Sequence, residues 1–320
     1  MTAKPLTDIR IGISSCLLGQ EVRFDGGHKR DTFITGTLSR YFAFVPVCPE
    51  LAIGLGVPRE PIQLVGTAGD IRVVGTRNPE LDVTERLRAY GRAMAARLGD
   101  LCGYIFKARS PSCGMERVKL RPAHGGMPSQ RGVGQYADAF MTAAPLLPVE
   151  EEGRLNDPVL RENFLERVFV YRSWRKHADE GVSARGLVEF HTRHKFVILA
   201  HGVAAYRELG RLVAGTDRRR AGPAAREYVT RLMQVLRKPA TRRGHANVLH
   251  HLQGYLKRHL DAEDKAELRD VIENYRLGRV PLVVPITLLR HHFRRHPDPY
   301  VEQQAYLNPY PAELMLRNLV

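Results

Sequence analysis

Gly103-Tyr104-Ile-Phe106-Lys107-Ala-Arg109-Ser110-Pro-Ser112-Cys113-Gly114 decides the fold of the first half of this chain. A short apolar run ends in a Ser/Pro/Gly turn that delivers a cysteine, the pattern of a buried strand followed by a turn. Two upstream stretches repeat it: Ile11-Gly-Ile-Ser-Ser-Cys16-Leu-Leu-Gly19 and Phe44-Val-Pro-Val-Cys48-Pro-Glu50. As strands of one sheet, all three would release their thiols at strand ends, where open α/β sheets place ligands. Three thiolates converging on one spot can hold an iron–sulfur cluster and leave one iron without a protein ligand.

The intervening segments complete an alternation of strands and helices. Strands are expected at Arg10–Ser14, Ala43–Val47, Ile71–Val74, Gly103–Lys107 and Leu146–Val149, and helices near 31–41, 83–98 and 136–143. The Gly/Pro/Ser-rich stretch 121–135 reads as a loop. This βαβ-like order predicts an α/β domain of three layers with a mainly parallel sheet. Charge and turn formers replace the apolar periodicity at Glu150–Pro158, so residues 1–155 and 156–320 are read as two domains. The second is all-α, with helical spacing near 159–179, 184–213, 222–237, 242–259, 261–277 and 284–294.

Composition bounds the function. The 320 residues carry a formal net charge of +15. Residues 1–150 hold 19 Lys and Arg against 14 Asp and Glu, a net of +5; the remaining 30 and 20 give +10 to the second half. Such a balance fits a polyanionic partner, nucleic acid before membrane. No apolar stretch approaches the roughly 18 residues that span a bilayer, and the opening Met1–Asp8 lacks the apolar core of a secretion signal. The expected location is the cytoplasm, where cysteines serve metals or catalysis more than disulfides. The absence of a Cys-x-x-Cys pair argues against a zinc finger or ribbon. Cys102, outside any turn motif, reads as buried packing.

Polar residues cluster beside the thiols. Glu50 suits a general base at the mouth of the thiol site, or a surface or capping carboxylate. Ser110 and Ser112 suit hydrogen bonds to a substrate or to cluster sulfide, or the capping of their own turn. Arg23-Phe-Asp25-Gly-Gly27 and Pro58-Arg59-Glu-Pro61 are loop-like segments that could line a small-molecule pocket.

Taken together, Ser15-Cys16-Leu-Leu-Gly19, Arg23-Phe-Asp25-Gly26, Cys48-Pro-Glu50, Pro58-Arg59-Glu-Pro61 and Lys107-Ala-Arg-Ser110-Pro-Ser-Cys113-Gly114 resemble the thiouracil desulfidase family over residues 8–150. The resemblance implies a [4Fe–4S] cluster held by Cys16, Cys48 and Cys113 with one open iron. It implies Glu50 as the catalytic carboxylate and Ser110 or Ser112 as the catalytic serine. Phe24 stands where that family usually has tyrosine, and Cys102 has no counterpart. The implied reaction is a hydrolysis: thiocarbonyl sulfur binds the open iron, water assisted by Glu50 attacks the ring carbon, and sulfide departs without net electron transfer.

The second half resembles a bacterial helical domain of unassigned function, through Phe190-His191-Thr-Arg-His194-Lys195, Arg243-Gly-His245-Ala-Asn247-Val-Leu-His250, Gly254-Tyr-Leu-Lys257, Tyr275-Arg-Leu-Gly278, Val280-Pro-Leu-Val-Val-Pro285 and Gln304-Ala-Tyr306-Leu-Asn-Pro-Tyr310-Pro. The fusion of the two halves is similar to the tRNA 4-thiouridine desulfidases, which makes thiolated tRNA the expected partner and the basic half its binding module. Expected phosphate contacts are Arg172, Arg175, Lys176, Arg193, Lys195, Arg218, Arg219, Arg220, Arg242 and Arg243. Tyr171, Trp174 and Tyr255 are expected in the helix core. His191, His194, His245, His250 and His251 are read as packing or RNA contacts rather than a second metal site. The alternatives are a desulfidase of free thiouracil or thionucleotides with the helical half as a lid, and a non-enzymatic iron–sulfur RNA-binding sensor.

Overall fold

A computed structural model describes residues 9–67, 69–123 and 125–320; the opening Met1–Asp8 lies outside them. The chain divides into two compact units, Met1–Asn156 and Asp157–Val320.

The first unit runs β1 (Arg10–Ser14), β2 (Ala43–Val47), α1 (Pro49–Ala52), β3 (Ile62–Thr67), β4 (Asp70–Gly75), α2 (Thr84–Arg97), β5 (Gly103–Phe106), β6 (Val118–Arg121), β7 (Ser129–Gly132), α3 (Gln135–Ala143) and β8 (Val149–Glu151). Four strands form a wholly parallel sheet in the order β2-β1-β5-β8. From β1 the chain goes first to one neighbour and later to the other, so the strand order reverses at β1. Ligands gather at such a switch point, outside the carboxyl ends of the strands.

Side chains of β5 explain why this sheet is buried. Tyr104 and Phe106 stack with centroids 4.2 Å apart and join Tyr136 and Phe140 of α3 in one apolar core with Leu87 and Met94 of α2. Gly12 lies opposite Tyr104 in the ladder, and a Cβ there would run into the Tyr104 ring. Ile11, Ile13 and Ile105 point the other way and are equally buried.

The α/β fold with a mainly parallel sheet stands, but a second, mixed sheet in the order β4-β3-β6-β7 was not anticipated. Part of the expected loop 121–135 is β7, whose Ser-Gln-Arg-Gly sequence carries no apolar alternation to betray it. The helix expected near 31–41 is a π turn (Phe33–Thr37) followed by a 3-10 turn (Leu38–Arg40). Threonine hydroxyls compete for the backbone there: Thr35 donates to the Asp31 carbonyl at 2.8 Å, while the Asp31 carboxylate takes the Ile34 N–H.

The second unit is helical: α4 (Pro158–Asp179), α5 (Ala184–His201), α6 (Val203–Ala214), α7 (Ala221–Leu236), α8 (Arg242–Tyr255), α9 (Ala262–Arg276), α10 (Val283–Arg295) and the single turn α11 (Pro299–Glu302). Side-chain caps start five of them, from Asp157, Ser183, Thr241, Asp261 and Asp298. The single helix expected over 184–213 is instead two, broken at Gly202, whose φ of 156° no helix accommodates.

Several buried polar groups in this unit are partnered, some of them across long stretches of chain. Arg317 pairs with Glu162 at 3.1 Å, Tyr310 donates to the same carboxylate at 2.7 Å, and His201 meets Glu166 at 2.9 Å. His245 contacts the Tyr306 hydroxyl and His194 the Phe190 carbonyl, both at 2.9 Å. Burial holds His194 down to about 4 and His245 to about 3. Unfolded, both would take up protons below about pH 6.5. Acidification from that value towards 4 therefore draws the equilibrium to the unfolded chain, by roughly 1.4 kcal/mol per pH unit for each neutral histidine. Urea midpoints of the intact chain at pH 7 and pH 5 should show the helical unit unfolding earlier at pH 5; equal midpoints would contradict buried neutral imidazoles.

Candidate active site

Parallel register brings three chain segments to one edge. Ser14, the last residue of β1, pairs with Val47, the last of β2, and Ile13 pairs with Ile105 of β5. Cys16 therefore emerges two residues beyond β1 and Cys48 one residue beyond β2. Cys113 returns through the Lys107–Gly114 turn beyond β5. All three line a cavity of about 340 Å³, together with Glu50 and Ser110. Cys102 immediately precedes β5, at the opposite edge, where its N–H bonds the Arg10 carbonyl and its side chain is buried. All four cysteines are free thiols.

Glu50 sits in the first turn of α1, two residues after Cys48. One carboxylate oxygen accepts the Ser112 hydroxyl at 2.7 Å; the other lies 3.5 Å from the Cys48 sulfur. The two serines, indistinguishable by spacing, separate here. Ser112 is fully buried and serves as the anchor of Glu50. Ser110 lines the cavity, and its oxygen accepts the N–H groups of Ser112 and Cys113 at 3.3 and 3.1 Å. Its hydroxyl proton has no acceptor among the described residues. Ser110 thus caps its own turn while its side chain lines the cavity.

Glu152 and Ser14, which shape the site, escaped the sequence reading. Glu152 follows β8 in an acidic run read only as a boundary. It accepts the Ala108 N–H at 2.7 Å and pairs with the Lys107 ammonium, holding the turn that leads to Cys113. Ser14 accepts the Lys107 N–H at 2.9 Å. Arg59 donates to the carbonyls of Val22 and Gly56 at 3.0 and 2.8 Å, tying the Arg23–Gly27 loop to the Pro58–Pro61 loop. Arg109, at the cavity lining, adopts φ of 60°, a left-handed backbone that a non-glycine residue takes only when its surroundings demand it.

Electrostatics keep the thiols protonated when no metal binds. Burial, followed by the Glu50 charge, pushes Cys48 up to about 12, and the same two causes raise Cys113 well above an ordinary thiol. Burial also raises Cys16, with the Lys107 ammonium opposing. Metal loading must therefore release protons. Among the described residues no three His, Cys, Asp or Glu side chains close around a single-ion position.

The sites expected in the helical unit do not gather in one place. Lys195 lines a cavity among α5, α6 and α8; Arg242 lines a smaller one beside Glu162 and His245. Arg218, Arg219 and Arg220 are exposed just before α7; Arg193, Arg243 and Lys176 are exposed on α5, α8 and α4, with Lys176 4.0 Å from Glu180. Arg172 and Arg175, on α4, are half-buried and partnered. Trp174 is core, edge-on to Phe190 at 5.1 Å. Tyr255, expected in the core, is half-exposed and lines the Lys195 cavity.

Through residues 11–152 the chain belongs to the family described as 2-thiouracil desulfurase, and residues 195–311 match a family described as protein of unknown function (DUF1722). Uncharacterized protein YbgA of Escherichia coli (strain K12) is 32% identical over 158 residues, 49% of this chain and 94% of that protein. Uncharacterized protein YbbK of Bacillus subtilis (strain 168) is 35% identical over 156 residues, 45% of this chain and 97% of that protein. A solved structure of a [4Fe-4S]-dependent thiouracil desulfidase, TudS, is 29% identical, with a TM-score of 0.36, over 46% of this chain and 93% of that one. The family match at residues 11–152 falls on the first unit, whose cavity is the candidate active site.

Reactivity of the thiols in chelator-treated, reduced protein tests this electrostatic picture. Cys48, the least buried, should be alkylated by iodoacetamide before Cys16, Cys102 or Cys113. Its rate should climb about tenfold per pH unit from pH 8 to pH 11, because only the thiolate reacts. A plateau near pH 9, read by peptide mass mapping, would mean that neither burial nor Glu50 raises this thiol.

Proposed function

We propose that this chain removes sulfur from a thiolated pyrimidine of tRNA, converting 4-thiouridine to uridine and releasing hydrogen sulfide, with a [4Fe–4S] cluster held by Cys16, Cys48 and Cys113. One observation carries the reading: three thiols from separate strand ends share a cavity with a carboxylate whose position is fixed by a buried hydroxyl.

The donor set suits such a group. Three free thiols line the cavity without closing on a single-ion position, and a cluster takes one thiolate per iron. No fourth cysteine lines it, which leaves one iron position to a substrate. Bound there, the cluster would supply a soft, Lewis-acidic seat for a thiocarbonyl sulfur.

The protein's own groups do the rest. Ser112 holds one oxygen of Glu50, and the other, which accepts from the Cys48 thiol at 3.5 Å, would be freed for water once that thiol gives up its proton on binding the cluster. Glu50 takes a proton as water adds to the ring carbon and returns it to the departing sulfur. A carbon–oxygen bond forms, the carbon–sulfur bond breaks, the added hydroxyl gives its remaining proton to the leaving hydrosulfide as the carbonyl forms, and hydrogen sulfide leaves with no change in electron count. Ser110 has its proton free to donate to a substrate heteroatom.

The choice of tRNA over a free base rests on charge. Five cations line the cavity, Arg23, Lys29, Arg59, Lys107 and Arg109, against two carboxylates, Glu50 and Glu60. Lys107 and Arg59 are committed to the scaffold, but Lys29 and Arg109 form no salt bridge among the described residues. A thiobase alone has nothing for them to hold; a nucleotide brings a phosphate. The second half adds a net charge of +10 to the attraction.

Anaerobic incubation of cluster-loaded protein with 4-thiouridine-containing tRNA, followed by nucleoside analysis, should show uridine and sulfide. Glu50→Gln should keep the cluster's brown absorption and lose about 10²- to 10⁴-fold in turnover, the usual share of a general base. Alanine at Cys16, Cys48 or Cys113 should abolish that absorption, and Cys102→Ala should keep it. Consumption of free 2-thiouracil with tRNA left intact would overturn the RNA substrate. Full activity of Glu50→Gln would overturn the role of the carboxylate.

A further inference from the structure

The helical unit contains a second cavity of about 340 Å³, bounded by α5, α6 and α8. That volume is at the lower end of what small organic ligands occupy. Its chemistry is unlike that of a packing defect, which would be apolar throughout. Tyr206, Tyr255, Asn247 and His251 line it beside the cations Lys195 and Arg207, and no acidic residue does.

The aromatic walls are held rigid by second rings. Tyr206 stacks on His191 with an interplanar angle of 17°, and His191 is itself fixed by the Tyr228 hydroxyl at 3.0 Å. Tyr255 stacks on Tyr300 at 12°. Lys195 is held by aromatic faces instead of a carboxylate, 4.4 Å over Tyr300 and 4.8 Å over Phe196. Its charge is therefore oriented without being neutralised. Among the described residues, neither the Asn247 amide nor the Tyr206 and Tyr255 hydroxyls have a hydrogen-bond partner. Arg207 likewise forms no salt bridge there.

Preset aromatic faces, an unpaired amide and uncancelled cations at one cavity match the parts of a nucleotide. Rings offer stacking to a base, an amide offers both a donor and an acceptor to its edge, and cations meet the phosphate. We infer that this cavity binds one unpaired nucleotide of an RNA strand, with the base against Tyr206 or Tyr255, its edge on Asn247, and the adjoining phosphate on Lys195 or Arg207. The RNA in this inference rests on the substrate proposed above; the nucleotide chemistry rests on the cavity itself. Bound this way, the helical unit would grip tRNA at a splayed-out base and not only through surface charge.

The test uses the full chain and three probes: UMP, unstructured oligo(U) and 4-thiouridine-containing tRNA. The parent should bind oligo(U) and tRNA. Tyr206→Ala and Asn247→Ala should each weaken oligo(U) binding about tenfold, the scale of one lost stacking or edge contact, while Tyr206→Phe binds as the parent does. Lys195→Ala should flatten the dependence of log K on log salt by about 0.7, one single-strand phosphate. Unchanged thermal melting of each variant separates these losses from unfolding. Oligo(U) binding indifferent to both Tyr206→Ala and Asn247→Ala would overturn the site. Binding confined to UMP would overturn the strand. A chain that grips oligo(U) through Tyr206 but desulfurises nothing would sink the proposed reaction and leave this site standing. Desulfurisation of tRNA with an unchanged KM in Tyr206→Ala would sink the site and leave the reaction.

Discussion

Pairing of β1 along both its edges is the constraint on which the first unit depends. Parallel ladders to β2 and β5 oblige three segments, distant in sequence, to leave the sheet on the same side. Such ladders need crossover connections and faces covered by other layers, and the buried stack of Tyr104, Phe106, Tyr136 and Phe140 is that cover on one face. Gly12 belongs to the same constraint, since it lets the Tyr104 ring lie flat across β1. The cavity and its thiols are a consequence of this registration, not a separate construction.

How much of this was legible beforehand follows from what each segment had to signal. β1 and β5 announce themselves because they are buried on both faces and so read as continuous apolar runs, and β2, an edge strand with Pro46 exposed, is legible from its apolar composition. The cysteines could be grouped because each follows such a run. β7 could not be seen, since an edge strand of Ser-Gln-Arg-Gly needs no apolar face. Gly202 falls within the stretch expected as one helix over 184–213, and the break there is visible only in the backbone angle. The roles of Ser110 and Ser112 depend on which hydroxyl turns inwards, a matter of three dihedrals that spacing does not encode. Glu152 was hidden for a similar reason: in an acidic run nothing marks the one carboxylate that reaches back 45 residues to Lys107.

The helical unit builds its interior differently. Its buried Glu162, Arg317 and His245 are joined through Tyr306 by hydrogen bonds that tie α4 to α8 and to residues 306–317, and Glu166 ties α4 to α5 through His201. A buried ion pair contributes little net stability against an apolar substitute, but it penalises every arrangement that leaves one partner alone. The network therefore penalises packings that separate these partners, while leucines and valines supply the driving force.

Ser110-Pro-Ser112-Cys113 is asked for several things at once: a hydroxyl for the pocket, an anchor for Glu50 and a sulfur beside it. All three derive their positions from one backbone turn, closed by the Gly114 N–H to the Ser110 carbonyl at 2.8 Å. Gly134 presses against its far side, so that the turn cannot bulge outward. Nothing here can be adjusted separately. An insertion or deletion of one residue would misplace carboxylate, hydroxyl and thiol together, so this tetrapeptide should admit no change of length.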